Sequence, residues 1–234
     1  MEIRGFQGLT LIDYPGELAS IVFTGGCNFR CPYCQNPALV NDLDKILQIP
    51  AEEILYDLKD RRKLIEGLVI TGGEPTISSE LLGFLQNVKT LKLKVKLDTN
   101  GSNPNLLEDI INKGLVDFIS MDYKAPLFKY SSACGVNLSE NTLNNIKKSA
   151  ELIINSSIKH EFRLTLHPQL HTLDDVLQIA EDIKGAQCFA IQQFRPIICL
   201  DKSFEETTGY PKSTVEAILP DLKSIIPNTI LRGF

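Results

Sequence analysis

Short β-branched runs alternate along this chain with longer stretches whose apolar residues recur at helical spacing. This alternation constrains the fold most, because strands separated by helices form right-handed βαβ units and therefore a parallel sheet. We predict an α/β fold with a parallel sheet. Six runs predict strands, namely LASIVFT (18–24), GLVIT (67–71), KVKLDT (94–99), DFISMDY (117–123), KHEFRLTL (159–166) and CFAIQQF (188–194), and the final NTILRGF predicts an added edge strand.

The stretches between these runs predict helices. Several begin after Ser, Asn or Thr in a capping position, and two end on Gly. Six strands are too few for a complete eight-stranded barrel. Since no Pro/Gly/Ser-rich linker, low-complexity tract or charge block divides the sequence, we predict a single domain over residues 1–234. The predicted helices are AEEILYDLKDRRKLI (51–65), SSELLGFLQNVK (78–89), NPNLLEDIINKG (103–114), SENTLNNIKKSAELIINS (139–156) and TLDDVLQIAEDIKG (172–185).

Composition excludes several classes of partner. The chain has 234 residues, of which 43% are hydrophobic and 23% charged, so a folded core is expected. Its 24 basic and 29 acidic residues give a net charge of −5 without a long run of one sign, which makes nucleic acid an unsuitable partner. No apolar run approaches the ~20 residues that cross a bilayer, and the start MEIRGFQG does not resemble a signal peptide. We expect a soluble, cytoplasmic protein without a membrane partner.

Three of the six cysteines, Cys27, Cys31 and Cys34, lie within eight positions directly after the first predicted strand. In a reducing compartment such a cluster indicates a metal site. A closed zinc site needs four ligands, and the three histidines lie more than a hundred residues further on. Three thiolates on a cubane of four irons would leave one iron open, so the pattern favours a 4Fe–4S cluster over zinc or buried thiols. The other cysteines lack C-x2-C spacing, and we interpret them as small buried apolar residues.

Polar residues also end the later strands, where functional groups of parallel α/β folds gather. Each motif has an ordinary structural alternative, because Gly and Pro mark turns, Asp caps them and Asn-Gly forms them. A strand would direct Asp122 and Lys124 to one face, since they are two residues apart. The residues concerned are Gly72, Gly73 and Glu74 after the second strand, Asp98, Thr99 and Asn100 at the third, and Asp122 and Lys124 at the fourth.

The fifth and sixth predicted strands carry weaker signals. Arg163 and His167 share one face by alternation, and Arg163 is suited to contact an anion. His167, which precedes a proline, is either a ligand contact or a loop residue. Gln193 and Arg195 either contact a ligand or simply end their strand.

The spacing C-x3-C-x2-C after a Gly pair, with Tyr33 before the last cysteine, resembles the radical S-adenosylmethionine (SAM) superfamily. The resemblance extends over almost the whole chain to the activating enzymes of anaerobic ribonucleoside-triphosphate reductase, and relatives that activate pyruvate formate-lyase share part of it. One departure is Gln35, where many relatives have His; it is not a cluster ligand. The motifs, in order, are GFQGLTLIDYPGE, FTGGCNFRCPYCQNP, VITGGEPT, LDTNGS, MDYKAP and IQQFRP.

The resemblance implies a radical SAM fold, a partial (β/α)6 TIM-type barrel whose open side admits a loop of another protein. It implies two cofactors, a 4Fe–4S cluster on Cys27, Cys31 and Cys34 and SAM. Glu74 would pair with the ammonium of SAM, whereas Asp122 and Lys124 would contact its ribose hydroxyls and carboxylate. Together with Arg163, His167 and Gln193, which their positions on the strands suggest, the full set of predicted SAM-binding residues is Tyr33, Gly72, Gly73, Glu74, Asp98, Thr99, Asn100, Asp122, Lys124, Arg163, His167 and Gln193.

The function implied by the resemblance is reductive cleavage of SAM followed by removal of hydrogen from a glycine Cα. The protein partner would be anaerobic ribonucleotide reductase, and the electron donor flavodoxin or a similar one-electron reductant. Two alternatives remain. One is a radical SAM enzyme that modifies a small molecule, as 7-carboxy-7-deazaguanine synthase does, and the other is a metal-binding module without catalysis.

Overall fold

A computed structural model describes all residues, 1–234, and the chain forms two compact units. The first unit consists of Met1–Asn28, Asn36–Thr99 and Asn103–Ile119. The second consists of Phe29–Gln35, Asn100–Ser102 and Ser120–Phe234. The single domain expected from the sequence stays a prediction.

Eight strands follow the order of the chain in one mostly parallel sheet. The six predicted strands are confirmed with ends that differ by at most one residue, and the C-terminal edge strand is present. The sequence reading missed the first strand. The strands are β1 (Ile3–Thr10), β2 (Ala19–Thr24), β3 (Gly67–Gly72), β4 (Lys94–Thr99), β5 (Phe118–Asp122), β6 (Lys159–Leu166), β7 (Phe189–Gln193) and β8 (Thr229–Arg232).

The five predicted helices are present as α2, α3, α4, α6 and α7, and four shorter helices were not predicted. None of the helices has the length and apolar character that crossing a bilayer requires. The helices are α1 (Pro37–Asn41), α2 (Ala51–Arg61), α3 (Leu81–Thr90), α4 (Pro104–Asn112), α5 (Tyr130–Cys134), α6 (Glu140–Asn155), α7 (Leu173–Asp182), α8 (Lys212–Glu216) and α9 (Leu219–Ile225).

In the first unit, strands β2, β3 and β4 pair in parallel, whereas β1 pairs antiparallel with β2. The parallel pairing expected for the predicted strands is confirmed here, and the unpredicted β1 adds an antiparallel edge because a short connection joins it directly to β2 without a crossover helix. The register places Ile21 opposite Val69 and Val69 opposite Lys96, so these three side chains share one face. That face holds a small core around Tyr14 and Val69.

In the second unit, β6, β7 and β8 pair in parallel, with Leu164 opposite Ile191 and Ile191 opposite Leu231. The buried carboxylate of Glu161 on β6 accepts hydrogen bonds from Arg232 on β8 and from Ser120. A buried carboxylate is tolerated where charged and hydroxyl donors satisfy it. These contacts fix the edge strand to its neighbours.

Candidate cofactor site

The loop after β2 carries the three clustered cysteines, with Cys27 in the first unit and Cys31 and Cys34 in the second. None of the six cysteines of the chain forms a disulfide bond. In the second unit the Cys34 amide donates to the Cys31 carbonyl at 3.0 Å, which closes a tight turn between the two thiols. No three His, Cys, Asp or Glu side chains come together as a group that could hold a metal ion.

Cys31 lies in surroundings that favour its thiolate. A hydrogen bond from the Cys134 side chain lowers the pKa of Cys31 to about 7, burial opposes this shift, and the charge of Lys124 assists it. The thiolate is the form that binds metal. Cysteine thiolates are the ligands that iron–sulfur clusters require, so the residue types of this loop fit such a cluster.

The motif Gly72-Gly73-Glu74 pairs through its backbone with the residues that precede Cys27. The Gly73 amide donates to the Thr24 carbonyl and the Glu74 amide to the Gly26 carbonyl, each at 2.8 Å. A Cβ on Gly73 would lie 1.8 Å from the Gly26 oxygen. Both glycines were expected to allow close backbone approach, and in the first unit the approaching group is the start of the cysteine loop.

The Glu74 side chain is buried at the end of this motif. One carboxylate oxygen accepts from the Thr76 amide at 3.1 Å and from the Thr99 hydroxyl at 2.7 Å. These donors are neutral, so they hold the carboxylate in place without cancelling its charge. Glu74 and Thr99, which the sequence placed in separate motifs, are therefore neighbours.

Asp98 forms an ion pair with Lys96 two residues earlier on β4. Both residues are buried, and the ammonium of Lys96 donates to Oδ1 of Asp98. Alternation along the strand puts both side chains on the face shared with Val69. Lys96 did not figure among the predicted site residues, although the pattern K-V-K-L-D shows the spacing.

Asn100 lies in the turn after β4, within the second unit. Its Oδ1 accepts from the Ser102 amide at 2.9 Å, and Gly101 has a φ of +74°. The Ser149 hydroxyl donates to the Gly101 carbonyl at 2.7 Å. Asn100 thus makes the turn that its residue type predicts.

Asp122 lies between two cations in the second unit. Nε of Arg163 is 2.9 Å from Oδ1 of Asp122, and Nζ of Lys124 is 3.4 Å from Oδ2. Burial by itself raises the pKa of Asp122, but the charges of Arg163 and Lys124 outweigh it and lower the pKa to about 2. Burial by itself lowers the pKa of Lys124, but the negative charges of Asp122 and Cys31 raise it well above its usual value.

Two further side chains hold the Asp122-x-Lys124 segment by its backbone. The Lys124 amide donates to the Tyr130 hydroxyl at 3.1 Å, and this hydroxyl is 3.3 Å from the Asp122 carbonyl. Nε2 of His171 is 2.7 Å from the Lys124 carbonyl. Tyr130 and His171 were not predicted, because neither lies in a motif and only the fold brings them to this segment.

His167 is fully buried in an aromatic environment within the second unit. Its ring lies 4.4 Å from the Phe194 centroid, 4.6 Å from Phe204 and, in a stacked arrangement, 6.4 Å from Tyr33. Burial, with a smaller effect of His171, lowers the pKa of His167 to about 4. Nδ1 accepts from the Gln169 amide at 3.2 Å, so the neutral ring carries its proton on Nε2, a buried atom without a partner.

Gln193 ends β7 and donates from Nε2 to the Tyr210 carbonyl at 2.7 Å, while its Oε1 is buried without a partner. Gln35, which departs from the family pattern, donates to the Arg195 carbonyl at 2.8 Å. The amide of Gln35 therefore connects the cysteine loop to the segment after β7.

Residues 21–183 match the family described as the Radical SAM superfamily. The chain belongs to the radical SAM superfamily. Members of this superfamily use a 4Fe–4S cluster and SAM, so both predicted cofactors are confirmed. The α/β radical SAM fold is confirmed as well.

Among radical SAM relatives, a protein of Methanocaldococcus jannaschii provisionally named as a glycyl-radical enzyme activating enzyme is 30% identical, over 98% of this chain and 95% of its own. A provisionally named GTP 3′,8-cyclase of the same organism is 28% identical, over 92% of this chain and 68% of its own. The 7-carboxy-7-deazaguanine synthase of Methanopyrus kandleri is 28% identical, over 48% of this chain and 52% of its own.

A solved structure of similar fold is that of Streptococcus suis SuiB bound to S-adenosylmethionine. The two chains are 14% identical and superpose with a TM-score of 0.67, over 88% of this chain. This chain spans about half of SuiB, 48% of its length. At this identity the likeness concerns the fold alone.

The sequence predicts that the three cysteines outside the loop are buried, and this prediction is confirmed for two of them. Cys134 and Cys199 are buried, whereas Cys188 is half-exposed. Cys134 is in addition a hydrogen-bond partner of Cys31, which the sequence could not show because the two lie 103 positions apart.

Proposed function

We propose that this radical SAM enzyme is an activating enzyme that generates a glycyl radical on anaerobic ribonucleoside-triphosphate reductase. The observation that supports this most is the similarity to the M. jannaschii protein, which extends over nearly the full length of both chains. A similarity confined to the cysteine loop would indicate only the shared cofactor chemistry. The ordered motifs from LIDYPG to IQQFRP favour the reductase as the target.

The thiolates of Cys27, Cys31 and Cys34 hold the cluster in this proposal. When bound, the reduced cluster supplies one electron that cleaves SAM into methionine and a 5′-deoxyadenosyl radical. The protein binds and orients SAM and excludes water from it. The proposed residues are the twelve that the sequence analysis predicts.

The best-supported SAM contact is the charged trio formed by Asp122, Lys124 and Arg163. Asp122 stays ionised because two cations face it, and it can accept from ribose hydroxyls. Lys124 stays protonated and suits the methionyl carboxylate. Tyr130 and His171 hydrogen-bond to the backbone of Lys124 and hold it in place. The entropy that the site would lose on binding a ligand is therefore smaller.

Glycine suits this reaction as a target for hydrogen removal. Its Cα hydrogen is unhindered, and the resulting radical is delocalised between the flanking amide groups. Because glycine has no Cβ, its backbone can come close to a reactive group that a protein shields from water. We propose flavodoxin or a similar one-electron donor as the reductant, and the cytoplasm as the location.

Electron paramagnetic resonance of an anaerobic mixture tests the proposal. Reduced enzyme, SAM and the cognate reductase should give a doublet from a glycyl radical together with 5′-deoxyadenosine. The signal should disappear when the reductase glycine is changed to alanine. A triple variant in which Cys27, Cys31 and Cys34 are alanine provides the control, since it should form neither product.

A second candidate function is the modification of a small molecule, which the similarity to a GTP 3′,8-cyclase and a deazaguanine synthase favours. In that case SAM would be consumed without a protein radical, and a purine nucleotide or a deazapurine precursor would be converted instead. Such a result would replace the activase proposal while leaving the cofactors unchanged.

A further inference from the structure

Lys96 is a buried lysine on β4 in the first unit. Its side chain is 3% exposed, and its ammonium donates to Oδ1 of Asp98, whose side chain is 12% exposed. Lysine is almost never fully buried unless its charge is paired. The structure gives this ammonium one acceptor, Asp98, so any effect of Lys96 on its surroundings passes first through that carboxylate.

The pair lies along one face of β4. Residues two positions apart point to the same side of a strand, so the Lys96 side chain extends toward Asp98 at the C-terminal end of the strand. The register puts Val69 opposite Lys96, and Val69 belongs to the small core around Tyr14. Apolar neighbours keep water away from the ammonium, and the charge of Asp98 offsets the cost of this burial.

An ion pair of this kind is not an efficient way to stabilise a fold. The cost of removing both charges from water offsets their attraction, so apolar residues often replace such pairs without loss of stability. The position of the pair points to the site instead, because functional groups of parallel α/β folds gather at the C-terminal ends of strands. The next residue, Thr99, donates to the buried carboxylate of Glu74 at 2.7 Å.

We propose that Lys96 is a positioning residue that holds the carboxylate of Asp98 ionised and oriented, so that Asp98 can accept a hydrogen bond from SAM. This inference rests on the proposed function, in which Asp98 contacts SAM. The ammonium and the ribose hydroxyls of SAM are suitable donors. Lys96 balances the charge of Asp98 before the ligand binds, whereas a buried carboxylate without a cation favours its neutral form.

Calorimetric titration of the reconstituted protein with SAM compares variants of β4. Lys96→Met removes the cation but keeps an unbranched side chain, and should raise the Kd for SAM about 10-fold or more at full iron content. Lys96→Gln retains a neutral N–H donor and should give an intermediate Kd. Lys94→Met is the matched control, because Lys94 lies on the same strand, is exposed and pairs with Glu17. This control should bind SAM as the unchanged protein does.

A double variant separates positioning from stability. Lys96→Met combined with Asp98→Asn leaves neither charge of the pair buried alone, so the urea midpoint of the apoprotein should return toward that of the unchanged protein. Its affinity for SAM should nevertheless stay as low as that of Asp98→Asn. This comparison also serves if Lys96→Met by itself does not fold.

The Kd values distinguish failure of the inference from failure of the assigned contact. A normal Kd in Lys96→Met or Lys96→Gln, with a raised Kd in Asp98→Asn, would overturn the inference alone. A double variant that binds SAM far more weakly than Asp98→Asn would also overturn it, because Lys96 would then act other than through Asp98. A normal Kd in Asp98→Asn would contradict the SAM contact assigned to Asp98 in the proposed function, and the inference with it.

Discussion

At the scale of single residues, the charge balance around Asp122 is the feature that most limits what can bind. Two cations face one carboxylate, and the pKa shifts of the partly buried Asp122 and Lys124 favour their charged forms. We propose that this trio contacts SAM, with Asp122 at the ribose hydroxyls and Lys124 at the carboxylate.

Removing one charge from this trio should weaken SAM binding without affecting iron content. Each lost charged hydrogen bond costs roughly 1.5 to 3 kcal/mol, so Asp122→Asn and Lys124→Met should each raise the Kd for SAM roughly 10- to 100-fold. Calorimetric titration of the reconstituted protein measures this. Lys184→Met, at an exposed lysine paired with Glu181, is the matched control and should bind SAM normally. Normal affinity in both site variants would show that the trio is only structural.

At the scale of elements, the close backbone pairing between the residues after β2 and those after β3 positions the start of the cysteine loop. Gly73 has no room for a side chain there, since its Cβ would overlap the Gly26 carbonyl. Backbone atoms cannot move aside as the end of a flexible side chain can. The pairing therefore depends on glycine at position 73.

Two glycine-to-alanine changes should have opposite effects on stability. Gly73→Ala forces the two loops apart and should lower the free energy of unfolding by about 1 to 3 kcal/mol. Gly83 lies within α3, and a Cβ added there has nothing within 4 Å. Gly83→Ala should therefore raise the free energy of unfolding by up to about 1 kcal/mol, since alanine is the better helix former. Urea denaturation measures the free energy of unfolding of both variants and of the unchanged protein. Equal stabilities would refute the close approach at Gly73.

At the scale of the whole molecule, the three histidines share one protonation state. Each has a ring nitrogen that accepts from a backbone amide: His160 from Gln187, His167 from Gln169 and His171 from His167. A protonated ring could not accept at that atom. Burial is the largest cause of the lowered pKa of all three. The folded protein therefore keeps its histidines neutral.

Stability should decrease as the pH falls from about 6.5 toward 4. In this window the unfolded chain takes up protons on its histidines while the folded chain does not, so the free energy of unfolding rises with pH. The lowered pKa of Asp122 adds a further loss only at lower pH, where the unfolded carboxyl protonates. Urea denaturation of the apoprotein between pH 7.5 and 5 measures the slope. His160→Gln should flatten it, and a flat profile in the unchanged protein would contradict the expectation.

The sequence alone was sufficient for the features that depend on local pattern. Alternation of residue types located six strands to within one residue, and the spacing of Cys27, Cys31 and Cys34 indicated the cluster, because strand geometry and ligand spacing are properties of a continuous segment. The predicted SAM contacts stay predictions.

Only the tertiary structure decided which distant residues meet. The antiparallel pairing of β1 was not apparent, since pairing direction depends on a partner strand and not on the strand's own composition. The partnership of Cys134 with Cys31, and the support that Tyr130 and His171 give to Lys124, were not apparent either. Such contacts join residues that are far apart in sequence. A local sequence pattern cannot predict them, because the distance between two such residues depends on how the helices and strands pack.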